Sequence, residues 1–507
     1  MKRSKPAGFD NEKYLKEQTA AILKRVKMFK DKLYLEFGGK ILYDYHAARV
    51  LPGFDPNIKM RLLQKLKKKI DVILCIYAGD IERNKIRADF GITYDADAFK
   101  TIDDFRNWGI DITAVVITRY EKQPAAKAFK NKLERRGVKV YLHYPTLGYP
   151  EKVDLIVSDE GYGKNQHIAT TNPIVVVTGP GPGSGKLGTC LSNLYHDHKK
   201  GIEGGYAKFE TFPVWDIPLE HKLNIAYEAA TVDLKDRNMI DTHHFNAYGK
   251  KTVNYNRDIE AFPLLKKILE KITGNDPVYR SPTDMGVNRI SAGIIDDSSI
   301  SEAAHQEIIR RYLRCAVEYA VGLSEKDTLE LADDLMIKTG AKSEHRACVK
   351  PARKAAREAE RSGKGNEGFF CGAAIELPDG TVLTGKNSQL MHASSSLILN
   401  ATKHLAGLPD SMFLLPQSLI DSVKNLKKNI LDSKMVSLDV DETLIVLSVS
   451  ALFNPAAQMA MEQLKHLSGC EVHLTHMPTP GDEAGWRKLK VNLTCDPQHS
   501  TKSLFVG

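Results

Sequence analysis

Between residues 33 and 211 the chain alternates short apolar, β-branched runs with stretches whose apolar positions recur at helical spacing. The runs at 33–37, 71–77, 111–118, 139–143, 154–158, 173–178 and 206–210 predict strands. The stretches at 58–69, 95–108 and 124–136 predict helices between them. Such alternation is the signature of an α/β fold with a largely parallel sheet and flanking helices, and ligands of these sheets sit beyond the C-terminal ends of the strands. Residues 212–298 are less regular and rich in His, Asn, Asp and Tyr. From 301 to about 362 the pattern turns helical, with Ile308, Ile309, Leu313, Val317 and Tyr319 along one apolar face. Ser362-Gly-Lys-Gly-Asn-Glu-Gly368 reads as a linker, and a last α/β unit follows. The expected organisation is an α/β domain at 1–298, a helical domain at 299–364 and a second α/β domain at 365–507.

A hydrophobic content of 42% and a charged content of 27% are ordinary for globular chains and leave that organisation unchanged. The segment 1–14 is charged and lacks the apolar core of a secretory signal. The apolar run at 444–453 is about half the ~20 residues of a membrane span. Seven cysteines, none in a Cys-x-x-Cys pair, argue against a disulfide framework and for a reducing compartment, so the expected location is the cytoplasm, away from membranes. The net charge of +9 is modest for 507 residues. The lysines at 65 and 67–69 end an amphipathic helix, where cations suit the helix dipole, so no nucleic-acid partner is expected.

The chemistry concentrates in one turn. Ile174-Val-Val-Val-Thr178 reads as a buried strand, Gly179-Pro-Gly-Pro-Gly-Ser-Gly-Lys186-Leu-Gly-Thr189 follows it, and residues 190–200 read as a helix. Strand, glycine-rich turn and helix are what a phosphate cradle needs: glycines let backbone N–H groups approach an anion, and the helix N-terminus adds positive partial charge. Gly181, Gly183, Ser184, Gly185 and Thr189 are the candidate binding residues, with Lys186 as the point charge on the outer phosphates. A Walker turn would have glycine where Pro180 stands and a hydroxyl, for Mg²⁺, where Leu187 stands. The turn therefore predicts a small phosphorylated ligand, with ATP and Mg²⁺ as one cofactor of that class, and no dedicated metal site. Phosphoryl transfer or ATP-dependent ligation would suit it, because such chemistry needs mainly positioning and charge stabilisation.

Further candidates lie at other expected strand ends. Glu36 ends the first strand, Asp44-Tyr-His46-Ala-Ala-Arg49 follows, and Arg119 ends the third; His46 and Arg49 are candidate catalytic groups. Val153-Asp-Leu-Ile-Val-Ser-Asp159-Glu160 reads as a strand ending in acids, which makes Asp159 a candidate metal-facing carboxylate. His196-Asp-His198 and His243-His244 are weak metal signals, since residues one or two apart on a helix point in different directions.

Two other motifs are set aside. Ser437-Leu-Asp439-Val-Asp441-Glu-Thr443 resembles the first motif of haloacid-dehalogenase-like phosphatases, but residues 445–507 are too short a stretch for that fold's remaining motifs, and 441–461 reads as one helix. Gly372-Ala-Ala-Ile-Glu-Leu-Pro-Asp379-Gly380-Thr-Val-Leu-Thr-Gly385 is a hairpin resembling the opening of the cytidine-deaminase fold. The helix after it, His392-Ala-Ser-Ser-Ser, has no Glu two residues beyond a ligand, and no later Cys pair follows, so zinc and deamination are excluded while the fold is expected.

Long motifs carry a resemblance over nearly the whole chain. Leu35-Glu-Phe-Gly-Gly-Lys40, Asp44-Tyr-His-Ala-Ala-Arg-Val-Leu-Pro-Gly-Phe54, Val116-Ile-Thr-Arg-Tyr120, Tyr206-Ala-Lys-Phe-Glu-Thr-Phe-Pro213, Ala226-Tyr-Glu-Ala-Ala230, Val253-Asn-Tyr-Asn-Arg-Asp258 and Ser281-Pro-Thr-Asp-Met-Gly-Val-Asn288 resemble an uncharacterised bacterial protein family, number zero-three-seven-one. The resemblance implies no activity, so function rests on the residues. An alternative to the enzyme reading is a non-catalytic ligand-binding or assembly protein, and the deaminase-like domain without ligands favours a homo-oligomer.

Overall fold

The buried apolar runs assemble into a six-stranded sheet in which every neighbouring pair is parallel. Its strands are β1 (Lys32–Phe37), β2 (Ile70–Tyr77), β3 (Ala114–Thr118), β4 (Val140–Leu142), β5 (Ile174–Thr178) and β6 (Gly204–Phe209). They lie side by side in the order β4-β3-β2-β5-β1-β6. The structure is a computed structural model and describes residues 7–87, 90–275 and 278–502. Strands β1, β3 and β5 are buried at every position, which is why they read as unbroken apolar runs rather than alternating ones. Alternate residues nonetheless serve two cores. Tyr34, Ile73, Cys75, Val116, Val175 and Val177 face one side. Leu74, Ile76, Val115 and Ile117 face the other.

Helices α1 (Tyr94–Asn107) and α2 (Pro124–Glu134) cover the second face, through Tyr94, Ala98, Ile102, Phe129 and Leu133. The first face is covered by α3 (Lys186–Lys199) and α4 (Asn256–Thr273), through Cys190, Leu191, Leu194, Phe262 and Leu269. The strand expected at 154–158 is instead one helical turn, Val153–Ile156. Its apolar run is only three residues long, too short for periodicity to separate strand from helix. The order of strands has one consequence for function. The connection leaving β2 runs to β3, on one side, and that leaving β5 runs to β6, on the other. The C-terminal ends of β2 and β5 are therefore a switch point, where open α/β sheets form a crevice.

This sheet belongs to one of two units, Pro6–Ala304; the other is built from His305–Gly507. In the second unit, β7 (Gly372–Glu376), β8 (Val382–Lys386), β9 (Glu471–Leu474) and β10 (Asn492–Cys495) form a sheet of order β8-β7-β9-β10. β7 is antiparallel to both neighbours, whereas β9 and β10 are parallel. The β7–β8 turn is made by Gly380 at φ +88° and by Asp379, whose carboxylate accepts from the Thr381 N–H at 2.9 Å. Residues 299–364 do not stand apart as a helical domain. Helix α5 (Val349–Arg361) lays Ala352 against Ala374 of β7, and a Cβ at Gly372 would fall 2.2 Å from the Ala352 carbonyl. Helix α6 (Ala393–Leu405) follows the hairpin. The stretch 441–461 is two helices, α7 (Val440–Ser450) and α8 (Pro455–Gln463), because Asn454 caps a new helix opened by Pro455. Helix α9 (Pro480–Lys488) joins β9 to β10 and buries Trp486.

No helix among the described residues is long and apolar enough to cross a membrane.

Candidate functional site

The glycine turn leaves β5 at the switch point and enters α3 directly. Gly183 and Gly185 take left-handed backbone, at φ +71° and +89°, and Gly185 is the N-cap of α3, with no side-chain cap. Close packing explains the other glycines. A Cβ at Gly179 would lie 2.6 Å from the Cys75 carbonyl, and one at Gly181 would lie 2.7 Å from the Tyr94 hydroxyl. The Thr118 hydroxyl, at the end of β3, donates to the Ser184 carbonyl at 2.8 Å. Arg119, the next residue, is a non-glycine at φ +48°. Its guanidinium stacks 3.5 Å over the Tyr77 ring and donates to the Gly183 carbonyl. Backbone strain of this kind marks sites that the surroundings hold in place.

Lys186 is half-buried and folds back over the turn. Its ammonium donates to the Gly181 carbonyl at 3.3 Å and to the Ser184 hydroxyl at 3.5 Å. Burial pushes the Cys75 thiol beneath it up to about 12, with the Lys186 charge acting in the opposite direction. Two basic groups, Lys186 and the exposed Arg119, thus share one backbone loop at the start of a 14-residue helix. A small cavity opens beside the turn, lined among others by Gly39, Tyr43, Asp97, Lys100, Thr178 and Gly179.

One strand over, Glu36 lies opposite Val177 of β5 and accepts from the Tyr206 hydroxyl at 2.7 Å. Lys208 on β6 bridges Glu210 at 3.1 Å and Asp258 at 2.5 Å. Burial raises the Glu210 carboxyl to about 6 against the opposing pull of Lys208. Sequence reasoning missed Lys208, Glu210 and Asp258 as a group, although all three fall in quoted motifs, because nothing in the sequence says that the end of β6 meets the start of α4.

The other expected site residues are dispersed. Asp159 is exposed and bonds to Lys199 and, at 2.9 Å, to the Tyr195 hydroxyl. Those partners stand at the C-terminal end of α3, so at ~1.5 Å of rise per residue Asp159 is separated from Lys186 by most of a ~20 Å helix. It cannot face a metal at the turn. Thr189 is buried against the sheet, where its hydroxyl accepts from the Cys75 thiol at 3.4 Å, and so it is not part of the cradle. His46 and Arg49 share the short helix Tyr45–Val50, and Arg49 meets His46 Nδ1 at 2.6 Å. His196 binds the Asn165 carbonyl at 2.8 Å. The acid between His196 and His198, Asp197, is fully buried; it pairs with Lys32 at 3.2 Å and accepts from Tyr34 at 2.6 Å. Among the described residues no group of three or more His, Cys, Asp or Glu side chains could hold a metal ion. The residues present do not fit a Walker-type Mg²⁺: Leu187 has no hydroxyl, Thr189 points into the core and Asp159 is at the wrong end of α3.

The fold and this turn define an α/β protein with a parallel sheet carrying a glycine-rich strand-to-helix turn at its switch point. The chain belongs to the uncharacterised family UPF0371. It matches the N-terminal domain of unknown function DUF1846 over residues 7–340 and the C-terminal domain of unknown function DUF1846 over 344–505. It is 57% identical over 501 residues to a UPF0371 protein of Clostridium botulinum (strain ATCC 19397 / Type A), covering 99% of each chain. A UPF0371 protein of Clostridium tetani is 56% identical over 500 residues, again with 99% of each covered. Neither relative's name carries an activity.

Proposed function

We propose that the unit Pro6–Ala304 binds a nucleotide or phosphorylated metabolite at the turn 179–186. The observation that carries this reading is the convergence of Lys186, Arg119 and the N-terminus of α3 on one glycine-rich loop at the sheet's switch point. Lys186 now spends its donors on the Gly181 carbonyl and the Ser184 hydroxyl, and a phosphate would offer it stronger, charge-assisted bonds. Recognition runs through backbone N–H groups and two cations rather than through a protein-held Mg²⁺. Phosphoryl transfer or ATP-dependent ligation remains the reaction class such a cradle suits, with Glu210 as a carboxyl able to hold a proton near neutral pH. Calorimetric titration with ATP, ADP and sugar phosphates tests it. Binding that weakens about tenfold or more in Lys186→Ala supports the reading. Absence of binding, or unchanged affinity in Lys186→Ala, overturns it.

A second reading concerns the His305–Gly507 unit. Its order, hairpin first and then two parallel strands joined by a helix, supports a cytidine-deaminase-like arrangement without zinc ligands. A surface without metal chemistry suits ligand binding or assembly. Exposed Phe413, Leu452 and Ile445 at 87%, 83% and 65% support a homo-oligomer. Light scattering that shows a monomer refutes the oligomer.

A further inference from the structure

A second cavity lies within the His305–Gly507 unit, at the start of α6 and α9. Its volume is about 70 Å³, room for roughly five water molecules at ~10–15 Å³ each. One wall holds a fixed dyad. His392 Nδ1 donates to Asp482 at 2.8 Å, and Asp482 is buried and further held by the Val440 N–H and the Thr479 hydroxyl, both at 3.1 Å. With Nδ1 committed, the remaining polar atom of the imidazole is Nε2, an acceptor when neutral. Another wall holds Ser394 and Ser437, 3% and 2% exposed. Neither hydroxyl has a hydrogen-bond partner among the described residues, and neither is among the side-chain atoms sealed from all access. Two hydroxyls on nearly buried residues, uncommitted within the protein and open to the cavity, are placed to donate to an acceptor inside it. Phe369, Met435 and Met477 complete the lining with apolar surface.

We infer that this cavity binds a small neutral carbonyl compound with an N–H beside the carbonyl, a primary carboxamide in the simplest case. The carbonyl oxygen accepts from Ser394 and Ser437, the amide N–H donates to His392 Nε2, and a short alkyl chain meets Phe369 and the methionines. Charge selects the neutral form. The lining includes two carboxylates, Glu367 and Asp482, and no lysine or arginine. With His392 neutral, a carboxylate of the same shape would bring a third negative charge and no donor for Nε2. The cavity is small, so a short primary carboxamide is the fitting probe.

The isosteres propionamide and propionate test this on the full chain, by ligand-observed NMR and calorimetry. Burial opposes protonation of His392 and the Asp482 carboxylate favours it, with the net direction upward, so the titration is run over a rising series of pH to reach the form in which Nε2 accepts. Saturable millimolar binding of propionamide is expected, with propionate about tenfold weaker or worse. Ser394→Ala and Ser437→Ala should each weaken propionamide about three- to tenfold, the worth of one neutral hydrogen bond, with unchanged thermal midpoints showing that the fold is intact. Lys186→Ala, in the other unit, should leave this binding unaltered. Failure of propionamide to saturate, equal or tighter binding of propionate, or full affinity in both folded serine variants overturns the inference.

Discussion

Gly185→Ala and Gly188→Ala, three residues apart, should change stability in opposite directions. Gly185 sits at φ +89°, where a non-glycine residue costs about 1–2 kcal/mol. Its Cβ would also stand 2.6–2.7 Å from three atoms of the Thr118 side chain. Thr118 is 3% exposed and its hydroxyl is committed to the Ser184 carbonyl at 2.8 Å, so it cannot turn away without breaking the contact that anchors the loop. Overpacking of that kind costs roughly 1–3 kcal/mol. The two terms together give about 2–5 kcal/mol of destabilisation. Gly188 has helical backbone, and a Cβ there meets nothing within 4 Å. Alanine at that position should stabilise α3 by about 0.5–1 kcal/mol. Hydrogen exchange of β5 and α3 amides reports this unit without averaging over the other. At about tenfold per 1.4 kcal/mol, protection should fall by roughly thirtyfold or more in Gly185→Ala and rise a few-fold in Gly188→Ala. Wild-type protection in Gly185→Ala, or equal losses in both variants, would refute the packing of the turn against Thr118.

Thr189→Val tests the corrected placement of that hydroxyl: it gives up one weak bond from Cys75, so stability should change by less than about 1.5 kcal/mol and phosphate-ligand affinity not at all, as calorimetry on the variant would show. Glu471 links charge to pH in the second unit. Burial raises its carboxyl, but Arg310 and Arg346 more than offset that and hold it down at about 2. A depressed carboxyl contributes stability that is present above its unfolded value, ~4.3, and is lost as pH falls towards 2. Stability of β9 by hydrogen exchange should therefore decline over that window. Glu471→Gln should flatten the decline and cost about 3–5 kcal/mol at neutral pH, by leaving the buried Arg346 and Arg310 short of a partner.

The parts of the fold legible in the sequence were those where one physical cause dominates. Val175, Val176 and Val177 are buried on both faces of a central parallel strand, and nothing but such a strand needs that composition. Gly380 after Asp379 marks a hairpin because the left-handed backbone at Gly380, φ +88°, tolerates few other residues. The 155–157 run was misread because three apolar residues satisfy strand and helix equally, and the choice fell to tertiary contact, with Ile156 seated in the core beside Ile168 and Tyr162.

The candidate site was legible in its glycines and opaque in its directions. That Lys186 starts a helix is written in the turn, but which way Thr189 points depends on the angular phase of α3, set by Gly185 and by the approach of Thr118 from a strand some 70 residues earlier in the chain. Asp159 failed for a related reason: in a parallel sheet a strand-ending acid reaches the ligand edge, so once residues 153–156 form a helix the argument for its position disappears with the strand. The same loss fixes the chemistry. Removing Asp159 and Thr189 from the turn leaves Lys186 and Arg119, two cations on one loop, as its charged groups. Under the proposed function such a site discriminates ligands by charge and shape, so selection of phosphate over neutral analogues is the outcome expected of it.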